Sequence, residues 1–407
     1  MQTQLADFIR GTAEGEIAEA ILRKCVHCGF CTATCPTYQV LGDDLDSPRG
    51  RIYLMKRALE GAPVTGATRL HLDRCLTCRA CETTCPSGVQ YGRLVDIGRA
   101  VVERKTRRPL SDRLKRALLG FALPRRRIFG AALRLGQLAR PWLPAALRRK
   151  VPPRAAPAGA WPAVRHTRRM LVLGGCVQPA LAPSINASAA RVLDRLGISL
   201  IEVPAGCCGA LRFHLNDQAA GRDDMRALID AWWPLIERGE VEAIVMTASG
   251  CGATVREYGH LLAGDPAYRE KAARVSAMTR DLSEILPELP ARVPEAGGAR
   301  ARVAFQSPCT LQHGQRVRGR VEAHLASAGY ELVPVPDGHL CCGSAGTYSL
   351  LQPELSVELR ARKLECLQAG APQVIATANI GCLAHLQAGT GTPVRHWIEL
   401  LDAAMAS

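Results

Sequence analysis

The sequence predicts an α plus α/β architecture: an all-helical domain built around two cysteine runs, followed by two tandem α/β units with small parallel sheets. Three observations carry this. The run C-x-x-C-x-x-C-x-x-x-C-P occurs at residues 25–36 and again at 75–86, bordered each time by helical patterns. After residue 168 a pattern of strand, helix, strand, helix, strand occurs twice, with cysteines at matching places. A basic, proline-rich stretch separates the halves. The expected boundaries are 1–105 for the helical domain, 106–167 for the linker, 168–300 for the first α/β unit and 301–407 for the second.

In the first half, Ile17, Ala20 and Ile21 recur at helical spacing, so a helix leads into the first run. Ser47-Pro48 is a helix start for RIYLMKRALEG, with Ile52, Met55 and Leu59 on one face and Gly61 as its stop. The cysteine spacing has a physical reason. Three thiolates within seven residues wrap three corners of an iron-sulfur cube, while the fourth, set off by three residues and turned by proline, reaches the other cube. Cys25, Cys28, Cys31 and Cys85 are therefore expected at one 4Fe-4S cluster, and Cys75, Cys78, Cys81 and Cys35 at a second. Zinc needs only four ligands in two pairs and leaves the doubled run unexplained.

The 407 residues exceed one ordinary core and suggest two or three domains. The opening MQTQLADFIRG lacks the basic-then-apolar plan of a signal peptide. The 17 cysteines are thus expected in a reducing compartment, where clustered thiols mean metal or redox chemistry. No apolar run approaches the roughly 18 residues of a membrane span. The expectation is a cytoplasmic protein, soluble or peripheral on the inner face of the cell membrane.

The net charge of +15 is concentrated in one segment: between Arg104 and Arg169 there are 19 Lys and Arg against Asp112 alone, while the rest of the chain sums to −3. Two short amphipathic patterns lie here, RLKRALLGFAL (113–123) and IFGAALRLGQLAR (128–140). They read as linker helices lying over the protein's own acids, or as a surface for anionic lipid. Nucleic acid is not expected, because no reading motif accompanies the charge.

In the second half, MLVLGGC (170–176) matches RVAFQSPC (302–309), SLIEVPAGCCG (199–209) matches ELVPVPDGHLCCG (331–343), and EAIVMTASGC (242–251) matches QVIATANIGC (373–382). Cysteines recur at offsets of 133, 134 and 131 residues, the mark of two copies of one unit. Continuous apolar strands indicate a buried parallel sheet, and right-handed crossovers bring the cysteine-bearing ends to one edge. Four thiols would meet there in each unit: Cys176, Cys207, Cys208 and Cys251, then Cys309, Cys341, Cys342 and Cys382. A single strand-end cysteine is an ordinary small buried residue. Eight in register point to a cluster, zinc or a redox dithiol. Cys366, in ELRARKLECLQAG, is expected to be a plain buried thiol.

With both halves read, the N-terminal half resembles the helical two-cluster ferredoxin modules of respiratory dehydrogenases, and the C-terminal half resembles the cysteine-rich CCG repeats of heterodisulfide reductase and its relatives. The combination of CVHCGFCTATCPTYQ, DSPRGRIYLMK, HLDRCLTCRACETTCPSGV, HLCCGSAGTY and TANIGC resembles the iron-sulfur subunits of bacterial glycolate oxidases. The resemblance implies two flavin-domain partner subunits carrying FAD, oxidation of glycolate to glyoxylate, and electron delivery to the quinone pool or another membrane acceptor. One departure matters. Heterodisulfide reductase repeats end in C-x-x-C and supply five cysteines, whereas these end SGCGATV and NIGCLAH, with only Cys251 and Cys382.

No G-x-G-x-x-G follows a strand, and GGC at 174–176 is too short a match, so the chain offers no dinucleotide fingerprint. Hydride abstraction needs a flavin or nicotinamide. The chain is therefore expected to conduct electrons, with no catalytic residue of its own. His27, His214, His313, His339 and His385 lie near cysteine motifs as candidate donors behind the ligands. The alternatives are the equivalent subunit of a lactate or glycerol-3-phosphate dehydrogenase, a thiol-disulfide oxidoreductase, or a structural zinc scaffold.

Overall fold

The computed structural model describes residues 1–144, 148, 151–287 and 301–406. Residues 145–147 and 149–150 of the basic linker, and 288–300 with the boundary drawn at 300, lie outside the described residues.

Residues 1–105 carry helices and turns and, among the described residues, no strand. Helix α1 (Ala13–Lys24) is capped by Thr12, which accepts from the Gly15 amide, and it buries Ala18, Ile21 and Leu22 before Cys25 ends it. After the first run come α2 (Pro36–Leu41) and α3 (Pro48–Leu59); Ser47 caps α3 through the Gly50 amide, with proline in the first turn. Gly50 is obligatory here, since a Cβ would lie 1.9 Å from the Asp44 carbonyl oxygen. Helix α4 (Gly66–Asp73) leads to the second run, whose α5 (Ala80–Thr84) precedes α6 (Tyr91–Lys105). A core of Leu22, Ile52, Met55, Leu59, Leu94 and Val101 joins α1, α3 and α6.

Two amphipathic helices follow, α7 (Leu110–Ala122) and α8 (Arg126–Ala139). The expectation that the basic stretch lies over the protein's own acids holds for part of it. Arg108 pairs with Asp73, Glu103 and Asp112, Arg116 with Asp73 and Asp112, Arg126 with Glu202, and Arg165 with Asp194. Outward, Leu110, Leu114, Leu118 and Phe121 of α7 form an exposed stripe at helical spacing, continued by Leu135, Leu138 and Trp142. Arg113, Lys115, Arg127 and Arg134 are exposed beside it.

Each α/β unit builds a four-stranded, all-parallel sheet. The first comprises β1 (Arg168–Val172), β2 (Ile198–Glu202), β3 (Ala243–Met246) and β4 (Thr279–Asp281), in the order β2-β1-β3-β4. The second repeats it with β5 (Arg302–Gln306), β6 (Glu331–Leu332), β7 (Val374–Thr377) and β8 (Val394–His396), in the order β6-β5-β7-β8. The sequence predicts three strands per unit. The fourth in each is three residues long, too short to show a pattern, and is held as an edge by pairs such as Ile244 with Thr279 and Ile375 with Val394.

The two units share one core, in which Val172, Leu193 and Val245 of the first pack with Phe305, Trp397 and Leu401 of the second. Arg191 and Arg195 of the first unit both pair with Asp402 of the second. His396 Nε2 donates to the Thr247 carbonyl at 2.8 Å, while its Nδ1 accepts from the Ile398 amide at 3.2 Å.

Among the described residues, no helix is long and apolar enough to cross a membrane.

Candidate iron-sulfur and thiol sites

Both cysteine runs use the same unusual backbone. In the first, His27 (φ 56°) and Gly29 (φ 85°) are left-handed; in the second, Thr77 (φ 52°) and Arg79 (φ 59°) occupy the same two places. Three of these four are not glycine, so the loops hold conformations that cost energy and are kept for a purpose. Alternating left- and right-handed residues turn successive amides toward one concave side, a cradle suited to an anionic cluster. The His27 amide faces Cys25, the Ala80 amide faces Cys78, and the Thr77 amide donates to Cys75 Sγ at 3.4 Å.

Cys85 lines a small cavity with Cys25, Cys28, Cys31 and Cys81, closed by Pro48, Ile52 and Tyr91. Cys35 lies within electrostatic reach of Cys78 and Cys81 of the second run and of Cys31 of the first. Burial pushes the Cys25 thiol up and Cys31 to about 11, and drives Cys78 and Cys81 well up, so these sulfurs become thiolates only against a cation. Cys75 moves the other way: burial opposes it, but the Arg51 and Arg99 guanidiniums, the Tyr91 hydroxyl and the Thr77 amide hold it below its ordinary value.

The donor spacing bears on the metal. Tetrahedral zinc at about 2.3 Å from each sulfur holds its thiolates under about 4 Å apart. Among the described residues, the one set of three metal-donor atoms mutually within 4.8 Å is Asp43, Asp46 and His71, which contains no cysteine. That set is an ion-pair hub, since Asp46 receives Arg51 at 3.2 Å and Arg74 at 2.8 Å. No three cysteine sulfurs among the described residues lie mutually within 4.8 Å.

Sequence reasoning missed the surroundings of the second run. Arg51, read only as part of an amphipathic helix, is 1% exposed and reaches within 4.0 Å of Cys35 Sγ. Arg99 of α6 donates to the carbonyls of Leu72 and Cys75 at 2.8 and 2.7 Å. No local pattern signals either residue; their burial follows from Asp46 and from carbonyls brought in by other segments.

In the α/β units the thiols form chains rather than tetrahedra. Cys176, Cys207, Cys208 and Cys251 contact in that order. Cys309 Sγ lies 3.8 Å from Cys341 Sγ, and Cys341, Cys342 and Cys382 continue the second chain. Neighbouring thiols donating to Cys207 pull it well down, while Cys176 and Cys208 rise. The glycine after each CC pair is fixed twice over. Gly209 and Gly343 have φ of 84° and 86°, and a Cβ would lie 2.6 Å from Gly221 O and 2.7 Å from Ser356 O. Cys251 and Cys382 sit on the first turns of the helices after β3 and β7 (Ser249–Val255 and Ile380–Gln387), and Asn379 Nδ2 donates to Cys382 Sγ at 3.4 Å.

The candidate histidines separate. His313 joins the domains: its Nδ1 is 2.9 Å from Thr83 Oγ1 in the second run, and its Nε2 donates to the His339 carbonyl at 2.9 Å. His27 is at the first run with its Nε2 buried and unpartnered. His214 lies against the backbone of Gly346, and His385 bonds Ser356. Cys366 is a correction: it is only half-buried on the helix Pro353–Gln368, because that helix faces solvent at this turn.

The second run is packed into the α/β half. Leu76 and Cys78 contact Cys309, Cys341, Tyr348 and Leu359, and Arg79 and Arg93 pair with Glu257 at 3.0 and 3.6 Å. Cys78 and all eight α/β cysteines line one cavity of about 1470 Å3 between the units. The first run faces outward, with Val26 69% and Phe30 62% exposed, whereas their counterparts Leu76 and Ala80 are 4% and 1% exposed.

Residues 21–89 match the 4Fe-4S dicluster domain family, and residues 170–256 and 303–387 each match the cysteine-rich domain family. The chain is 54% identical to the glycolate oxidase iron-sulfur subunit of Escherichia coli K12, over 100% of this chain and 99% of that one. It is 31% identical to a probable glycolate oxidase iron-sulfur subunit of Bacillus subtilis, over 91% of this chain and 89% of that one. Lactate utilization protein A of Geobacillus thermodenitrificans is 27% identical over 56% of this chain. A crystal structure of a hypothetical protein from Helicobacter pylori superposes with a TM-score of 0.50 at 10% identity, over 97% of this chain and 73% of that one, which speaks to the fold alone. The doubled cysteine run, the paired CCG units and full-length similarity place the chain in one family: it belongs to the glycolate oxidase iron-sulfur subunits.

Proposed function

We propose that this chain conducts electrons within a flavin-dependent glycolate oxidase complex, from FAD on two flavin-domain partner subunits to the quinone pool, rather than directly to NAD or oxygen. The observation that supports the reading is that Cys85 lines the cavity of Cys25, Cys28 and Cys31 while Cys35 lies within electrostatic reach of Cys78 and Cys81. In this reading Cys25, Cys28, Cys31 and Cys85 hold one cluster and Cys75, Cys78, Cys81 and Cys35 the second. When bound, 4Fe-4S clusters take up and release single electrons. The protein's part is positioning and charge. The exposed first run meets the flavin partner, and Arg51 and Arg99 make the second run the more electropositive site, so electrons move inward. The α/β cysteines form a further cluster or zinc site, or a dithiol, at the inner end of that path. The domains divide at 105, 167 and 300.

Iron, sulfide and zinc per chain on anaerobically purified protein, with EPR during stepwise reduction, test this. About eight irons fill the two runs, and twelve or more put a third cluster in the CCG units; zinc without visible absorbance sinks the reading. The exposed apolar stripe of α7 and α8 with its arginines supports a peripheral place on the inner face of the cell membrane. Arg125→Glu with Arg127→Glu should release the complex from anionic vesicles. Unchanged flotation removes the membrane from the reading.

A further inference from the structure

The cavity between the α/β units holds more than thiols. One wall is α8, which turns Phe129, Leu133 and Gly136 inward, while Leu135, Leu138 and Trp142 on its other side are exposed. Leu123, Val177, Leu181 and Leu261 extend the apolar lining. Most of the guanidiniums on the wall already serve the protein. Arg79 pairs with Glu257, Arg226 with Asp223 and Asp265, Arg222 donates to the Leu261 carbonyl, and Arg99 to the carbonyls of Leu72 and Cys75. The wall is therefore a poor phosphate site and a good apolar one. Among the protonatable groups that line the space are Asp96 of α6 and His260.

We propose that this cavity binds the headgroup of a lipid-soluble quinone and is where electrons leave the chain, an inference that rests on the electron-conducting function above. The headgroup lies between apolar walls near Cys78 and the eight α/β cysteines, and its tail leaves past α8 toward the exposed apolar stripe. Two electrons, delivered singly through this chain, reduce the quinone. Each carbonyl oxygen takes one proton, one from the Asp96 carboxyl and one from solvent at the oxygen that the neutral His260 imidazole holds by hydrogen bond, giving the hydroquinone. Solvent reprotonates Asp96. Burial raises Asp96 to about 6 against the pull of Arg99 and Arg79, with Glu257 and Glu82 pushing the same way as burial. Its acid form is thus populated near neutral pH. Burial lowers His260, helped by Arg93, Arg79 and Arg222 and opposed by Glu257, so near neutral pH it is a neutral imidazole that offers a hydrogen bond.

The test uses the intact complex with an azido-derivative of a short-tailed ubiquinone. Photolabel is expected on peptides spanning 129–140 and 257–265, competed by decylubiquinone. Leu133→Trp, which fills the cavity from a peripheral helix, should cut labelling and quinone reduction about tenfold or more, while glycolate still reduces the clusters by EPR and a soluble dye is still reduced. Asp96→Asn should keep the label, slow quinone reduction about 100-fold, and remove the fall in rate that the native complex shows as pH rises through 6. Label elsewhere, or quinone reduction untouched by Leu133→Trp with that variant folded, overturns the proposal. Reduction of a small disulfide that competes with the label would also overturn it, by making the cavity a disulfide site. If glycolate fails to reduce the clusters at all, the electron-conducting function is what fails.

Discussion

The two cysteine runs are the same device in two settings. Both carry left-handed residues two and four places after the first cysteine, and in the proposed assignment each lends its last cysteine to the other. The residues between the ligands differ. Val26 and Phe30 face solvent where Leu76 and Ala80 are buried, and Gly29 stands where Arg79 reaches Glu257. One loop thus ends at the surface and the other at the α/β half. The lesson is that ligand spacing sets what is held, while the residues in the gaps set where it is presented.

The comparison breaks hardest at the ligands. Cys28→Ser and Cys78→Ser should each remove about four irons per chain and abolish electron delivery to the acceptor, with flavin reduction by glycolate surviving. Only Cys78→Ser should also raise hydrogen exchange across residues 309–314, and equal exchange in both variants would erase the distinction. Next are the flanking positions. Leu76→Ala should cost about 2–5 kcal/mol in anaerobic urea unfolding, against under about 0.5 kcal/mol for Val26→Ala; similar losses would mean that the first run is covered as well. The smallest effect tests the ion pair. Burial would raise Glu257, but Arg79 and Arg93 outweigh it and hold the carboxyl below its ordinary value. Its contribution is therefore full above the unfolded value of about 4.3 and is lost as pH falls through the lower folded value. Glu257→Gln should cost about 1 kcal/mol at pH 7, a cost that shrinks as pH falls below about 4. A difference that persists in acid would mean that the pair does not secure the second run.

The architecture was legible because helix and strand periods alternate cleanly and the cysteine offsets betray the duplication. The two cysteine runs were legible from spacing alone, and residues 21–89 do match the 4Fe-4S dicluster domain family. The rest depended on distant segments. β4 and β8 have three residues each and exist only as partners of β3 and β7. Arg51 looks like one more polar residue on a helix until Asp46 folds against it. His313 meets Thr83 across 230 positions of chain. The basic stretch admitted two readings because both describe it, Arg108 and Arg116 being paired inward while the leucines of α7 face outward.

The proposed exchange of Cys35 and Cys85 also bears on how the chain matures. Under that assignment neither cube closes on one run alone; each would tie a loop, from Cys31 to Cys85 or from Cys35 to Cys75, as a covalent bridge does. Restricting loops of that size is worth about 4 kcal/mol each in the chain-entropy picture. In that arrangement the two insertions are coupled: seating the first cube brings the second set of thiols together, and a chain released before residue 81 can complete neither.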